Sequence, residues 1–157
     1  MKKLVAYFSA TGTTNDVAKK LAQAIESDIF EIVPVKPYTA RDLNWMDKNS
    51  RSTIEAKQSN IRPEMANKLE NANEYDIIYL GFPIWWYTAP KIVNTFLESI
   101  DTANKTIILF ATSGGSGLGN TAEDLKKSCD STTRIISGKI LSASQDISSL
   151  KQWAKKY

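Results

Sequence analysis

Histidine is absent from this 157-residue chain, and cysteine occurs once, at Cys129. Without an imidazole there is no Ser-His-Asp or Cys-His hydrolase, no HExxH metalloprotease and no two-histidine facial triad for iron. A single cysteine forms no internal disulfide, and no Cys/His set is available for structural zinc, a usage that points to a reducing cytoplasm. Long apolar runs are also missing: no stretch approaches the roughly 20 residues of a membrane span. The apolar run at residues 4–8 is shorter than the core of a secretory signal and leads straight into a Gly/Thr turn, so it reads as a strand. A soluble, cytoplasmic protein is expected. Charge of one sign is scarce too. Twenty basic and 17 acidic side chains leave a net charge of +3, too mild to imply nucleic acid as a partner. The lysines fall in scattered pairs suited to helix ends and solvated faces.

What is present is a pattern of continuous apolar runs alternating with helical stripes. Residues 4–8, 77–80 and 107–110 read as strands buried on both faces, as in a parallel sheet held between helices. Weaker strands are expected at 29–35 and at 134–136, the latter extendable to 141. Helices are expected near 13–27, with Val17, Leu21 and Ile25 on one stripe, near 90–99, near 119–128 and near 147–156. Strand–helix alternation of this kind predicts an open, doubly wound α/β sheet in one domain spanning 1–157. The long connection at 34–62 is irregular. Thr39 with Asp42 resembles a capping box opening a short helix through Trp45 and Met46, and Pro63-Glu64 is expected to start a helix to about residue 71. Trp45 and Met46 are expected to be buried over the second strand rather than to shield a ligand.

Doubly wound sheets bind ligands at the carboxyl ends of their strands. After the first strand come Ser9, Thr11, Gly12, Thr13, Thr14 and Asn15, running into a helix. Hydroxyls and free amides at a helix N-terminus form an anion site as readily as an ordinary capped turn. The loop lacks the lysine of a Walker A motif and the GxGxxG of a dinucleotide fingerprint. It therefore suits holding a phosphate monoester rather than cleaving one. After the third strand come Pro83, Ile84, Trp85, Trp86 and Tyr87, closed off by Pro90. Successive residues of an extended segment point to opposite sides, so at least one of these rings should face the crevice and stack on a flat ligand. After the fourth strand come Thr112, Ser113, Gly114, Gly115, Ser116 and Gly117, whose backbone can approach a ligand closely. No catalytic side chain and no metal site is expected.

Ser9-x-Thr11-Gly12-x-Thr14 matches the S/T-x-T-G-x-T phosphate motif of the flavodoxin family, and the chain resembles that family over nearly its whole length. GFPIWWYTAP and ATSGGSGLGN resemble a short subgroup with a paired Trp after strand three. The resemblance implies a flavodoxin-like α/β fold: a five-stranded parallel sheet of order 2-1-3-4-5 with helices on both faces. It implies one non-covalent FMN, with Ser9, Thr11, Gly12, Thr13, Thr14 and Asn15 on its phosphate. It also implies Pro83 to Tyr87 against the isoalloxazine and Thr112 to Gly117 along the other edge of the ring.

Electron-shuttling flavodoxins are strongly acidic, whereas this chain has a pI near 8.9. Long-chain flavodoxins place a glycine in the loop after strand three, where a peptide flip helps to stabilise the one-electron state. None occurs at 84–87 and bulky residues resist positive φ, so by that comparison a weakly stabilised one-electron state and two-electron chemistry are expected. Tyr87 is expected to pack rather than to deliver a proton. Two functions follow. One is a redox protein exchanging electrons with a protein partner through FMN; the other is an NAD(P)H-dependent oxidoreductase of quinone-like acceptors. A flavin-free, response-regulator-like module lacks the acidic pocket it would need.

Overall fold

The computed structural model describes residues 2–113 and 115–157. Five strands, β1 (Lys3–Tyr7), β2 (Asp28–Glu31), β3 (Ile77–Pro83), β4 (Thr106–Thr112) and β5 (Arg134–Ile140), form one sheet of order β2-β1-β3-β4-β5. Every pairing is parallel, with Ala6 opposite Leu80 and Leu80 opposite Leu109 across the centre. The helices are α1 (Thr13–Ile25), α2 (Arg51–Lys57), α3 (Lys91–Glu98), α4 (Thr121–Lys126) and α5 (Ile147–Ala154).

The continuous apolar runs split by parity between two cores. Leu4, Ala6, Phe8, Leu80 and Leu109 meet Ile92, Val93 and Phe96 of α3 on one face. Val5, Tyr7, Tyr79 and Phe110 meet Val17 and Leu21 of α1 and Trp153 of α5 on the other. Each fully buried Leu, Ile, Val or Phe among them contributes about 1.5–3 kcal/mol of hydrophobic stabilisation before the entropy of ordering is counted. At the β4–β5 pairing the register shifts between Leu109 and Phe110. Gly138 fits this bulge because a Cβ there would lie 2.0 Å from the Leu109 carbonyl oxygen. Helix α1 ends on Glu26 at φ 52°, with the Ser27 amide donating to the Ala22 carbonyl at 3.0 Å. This is the left-handed stop that glycine normally fills.

Strands one, three and four and helices α1, α3, α4 and α5 form where the sequence pattern places them. The connection between β2 and β3 does not. Thr39 and Asp42 do make the reciprocal capping-box bonds, amide to side chain in each direction at 3.0 and 3.1 Å, yet no helix runs through Trp45 and Met46. The Asn44 and Asp47 side chains accept from the amides of Met46 and Asn49, and these local turns divert the chain. The expected helix from Pro63 is also absent. Residues 63–66 instead run antiparallel beside 33–35, with the Val35 amide donating to Glu64 and that of Ala66 to Val33. Asn67 fastens this pairing: its Nδ2 donates to the Glu31 carbonyl at 2.7 Å and its Oδ1 accepts from the Val33 amide. Only a single 3-10 turn, Ala72–Glu74, follows. Helix α2 arises where no apolar stripe announces it, because the face it buries is polar: Ser52, Thr53 and Glu55. Trp45 and Met46, expected beneath the surface, are 68% and 75% exposed. Strand β2 is a short, largely exposed edge strand whose Phe30 is taken up by the core against Phe96, leaving Ile29 alone as its exposed apolar surface.

Candidate functional site

Three loops converge at the carboxyl edge of the sheet. In the first, Gly12 takes φ 99°, and its amide donates to Ser9 Oγ at 3.1 Å. The turn delivers the chain into α1 with the amides of Thr13, Thr14 and Asn15 ahead of the first helical bond, from Asp16 to the Gly12 carbonyl. Thr11 and Thr13 are exposed, whereas Thr14 is buried and its hydroxyl lies 2.7 Å from that of Thr112 at the end of β4. The Tyr7 hydroxyl donates to Asn15 Oδ1 at 2.5 Å, which leaves the Asn15 NH2 as a donor. Burial, with the Glu31 carboxylate adding to it, pushes the Tyr7 phenol up to about 12, so it remains a donor throughout the physiological range.

The second loop closes on itself. Trp85 and Thr88 exchange backbone hydrogen bonds at 2.9 and 3.2 Å around Trp86 and Tyr87, which take φ 53° and 67°. This is a two-residue turn of the type normally built from Asn-Gly. The expectation that bulky residues keep this segment out of left-handed backbone is therefore overturned. Closure of the turn, with Thr88 Oγ1 donating to Asp124 Oδ2 of α4 at 2.6 Å, holds two strained residues in place. The turn also sorts the three aromatics. Trp85 packs inward edge-to-face on Phe8 and Tyr38, at 5.7 and 5.1 Å between ring centroids. Trp86 and Tyr87 stand 42% and 74% exposed.

Behind Trp85, the Tyr38 hydroxyl donates to Glu55 Oε1 at 2.5 Å, Arg51 Nε donates to Glu55 Oε2 at 2.9 Å, and the Arg51 guanidinium sits 3.8 Å from the Tyr38 ring centroid. Burial first, then the Glu55 carboxylate, holds the Tyr38 phenol far above its ordinary value. In the third loop Ser113 Oγ accepts from the amides of Gly115 and Ser116 at 3.2 and 2.8 Å. Gly114 lies outside the described residues.

Two adjoining concavities result, sharing Ala10, Thr11, Pro83 and Ile84. One, of about 440 Å³, is walled by Trp85, Trp86 and Tyr87, with Ser116 from the third loop. The other, of about 530 Å³, is walled by Thr13, Thr14, Thr112 and Ser113. No charged side chain is among the described residues lining either, and no cluster of His, Cys, Asp or Glu suited to a metal occurs among the described residues.

The family model for flavodoxin matches residues 2–157. The chain belongs to the flavodoxin family. A solved structure of a candidate flavoprotein from Bacteroides eggerthii is 44% identical, with a TM-score of 0.91 over 99% of this chain and 96% of that one. Another, from Bacteroides uniformis, is 46% identical, with a TM-score of 0.84 over 98% and 97%. A flavoprotein from Lactobacillus acidophilus, solved in complex with FMN, shares the fold at 22% identity and a TM-score of 0.68, over 86% and 89%. No curated protein matches the chain.

On this flavodoxin fold the predicted residues divide by place. Thr11, Thr13, Thr14, Pro83, Ile84, Trp85, Trp86, Tyr87, Thr112, Ser113 and Ser116 line one concavity or the other. Ser9, Gly12 and Asn15 shape the first loop without lining either, and Gly115 and Gly117 are exposed beyond the lining. Missing from the expectation were Leu43 and Ser52 on the aromatic side, where Trp45 had been expected beneath the surface over β2 instead, and residues 140–143 on the hydroxyl side. The second group was within reach, since the rule that ligands gather at strand carboxyl ends applies to β5 as well. The first was not, because it depends on the fold of the irregular connection. Among the described residues no helix is long and apolar enough to cross a membrane.

Proposed function

We propose that the chain binds FMN without a covalent link and serves as an electron-transferring flavoprotein. The observation that carries this reading is the pairing of two adjoining concavities, one walled by hydroxyls and one by aromatic rings, without a charged group among the described residues lining either. A phosphate ester joined to a flat, uncharged ring system fits such a pair. Neutral donors suffice for the phosphate, because hydrogen bonds to a charged acceptor are about twice as strong as neutral ones and the head of α1 adds its dipole. The hydroxyls of Thr11 and Thr13 and the amides at 13–15 hold the tail. The Thr14–Thr112 pair ties that loop to β4, so the two halves of the crevice keep their relative position. Trp85, fixed by Phe8 and Tyr38, together with Trp86 and Tyr87, presents aromatic surface to the ring and excludes water from it.

When bound, FMN supplies the electron-accepting chemistry. The chain supplies binding, orientation and a low-polarity wall, with no charged side chain among the described residues that line it. The test is direct. Protein purified from cells should be yellow and should release FMN on denaturation, and the apoprotein should rebind FMN one to one. An apoprotein that never takes up FMN would sink the reading. Reduction by a flavoprotein reductase, together with no steady-state oxidation of NADH or NADPH in the presence of a quinone, separates a carrier from an oxidoreductase.

A further inference from the structure

Two segments carry an excess of basic side chains: residues 134–157, with five basic and one acidic, and residues 36–62, which help to wall the aromatic concavity. Residues 36–62 hold six basic and three acidic side chains, an excess of three that equals the net charge of +3 of the whole chain. Two of these cations are engaged: Arg51 lies 2.9 Å from Glu55 and Arg62 lies 3.0 Å from Glu98. Lys36, Arg41, Lys48 and Lys57 are exposed and make no ion pair among the described residues. The same segment contributes Leu43, Trp45 and Ser52 to the wall of the aromatic concavity, with Arg41 two residues from Leu43 and Lys48 three residues from Trp45 along the chain. Trp45 and Tyr87, 68% and 74% exposed, both line this concavity, and Met46, next to Trp45 in the chain, is 75% exposed. Large exposed apolar side chains rimmed by polar and charged residues mark a protein-interaction site. A small anion would need convergent donors, and these four cations are instead spread from Lys36 to Lys57.

We propose that the 36–62 lobe is the docking surface for an acidic redox protein. Carboxylates around the partner's redox centre would face Lys36, Arg41, Lys48 and Lys57, while Trp45, Met46 and Tyr87 make the apolar contact beside the crevice. Complementary charge of this kind sets encounter rate and register more than it sets affinity. The proposal rests on the FMN reading for its purpose, electron exchange, but docking is measured with both proteins oxidised and needs no turnover.

The probe is an acidic plant-type [2Fe–2S] ferredoxin, titrated calorimetrically into the purified full chain. Basic cytochrome c serves as the opposite-charge control. Binding of ferredoxin should be clear at an ionic strength of about 10 mM, where the Debye length is about 30 Å, and at least tenfold weaker at about 150 mM, where it is about 8 Å. Arg41→Glu/Lys48→Glu should weaken it at least tenfold. Lys155→Glu/Lys156→Glu makes the same change in net charge next to the opposite edge of the sheet, where Lys156 lies with Asp76 and Thr106 at the strand starts, and should change binding less than about threefold. Lys36→Gln/Lys57→Gln, a milder pair checked by circular dichroism, covers the case in which charge reversal disturbs folding. Equal losses from the two reversed pairs, ferredoxin binding indifferent to salt, or tighter binding of cytochrome c would each overturn the proposal. A yellow chain that ignores ferredoxin leaves the FMN reading standing and removes the docking surface. A colourless chain that binds it does the reverse.

Discussion

Thr11 and Thr14 sit on one loop and match the same motif, yet their surroundings give them different work. Thr11 is exposed and lines both concavities. Thr11→Val should therefore remove a donor to a charged acceptor, about 1.5–3 kcal/mol, and weaken FMN binding roughly tenfold to a hundredfold with apoprotein stability unchanged. Thr14 is 2% exposed and hydrogen-bonded to Thr112, itself 7% exposed. Thr14→Val leaves a buried hydroxyl without its partner and should cost the apoprotein about 1–3 kcal/mol in urea unfolding; Thr14→Val/Thr112→Val should recover most of that loss. A motif shared by two residues thus conceals a binding role and a bracing role, and burial is what separates them. Glu26 offers a test in the other direction. It holds φ 52° at the end of α1, and its side chain makes no ion pair among the described residues, so Glu26→Gly should stabilise the protein by about 0.5–1 kcal/mol, read as a rise in the denaturant midpoint.

At the scale of elements, the turn after β3 sets stability against function. Two-residue hairpin turns with positive φ at both positions favour Asn-Gly, and a bulky residue in left-handed backbone costs on the order of 1–3 kcal/mol. Trp86→Asn/Tyr87→Gly should raise the thermal midpoint of the apoprotein while weakening FMN binding at least tenfold; a variant that gains stability and keeps its affinity would show that these rings do not carry the aromatic wall. The strands were legible because a parallel sheet buried on both faces writes continuous apolar runs, and α1 and α3 because their stripes repeat at helical spacing. Helix α2 was not, since its buried face consists of Ser52, Thr53 and Glu55, whose reason for burial is a bond to Tyr38 and Arg51. The helix expected from Pro63 failed for a similar reason. Asn67 finds backbone partners on β2, 36 residues back from it at Glu31, and local propensity does not outweigh such a clamp.

For the whole molecule, lack of histidine means that stability should vary little between about pH 5 and 8. The alkaline side differs. Tyr7 ionises near 10.0 when unfolded and near 12 when folded, and Tyr38, Tyr75 and Tyr79 shift in the same direction. In the unfolded chain these phenols lose their protons first, so the stability they contribute is complete below about pH 10 and is lost as pH rises toward 12; denaturant midpoints measured across that range should fall steadily. Residue order alone was enough for the parallel α/β class, for the hydroxyl loop after β1 and for the gathering of three loops on one edge, because periodicity and glycine placement are local properties of a chain. The wall built by Leu43, Trp45 and Ser52, the outward stance of Trp45 and Met46, the pairing of Thr14 with Thr112 and the left-handed turn at Trp86-Tyr87 depended on folding in three dimensions. Each rests on a partner distant in sequence or on a turn closed by its surroundings, and such contacts leave no periodic trace in the chain.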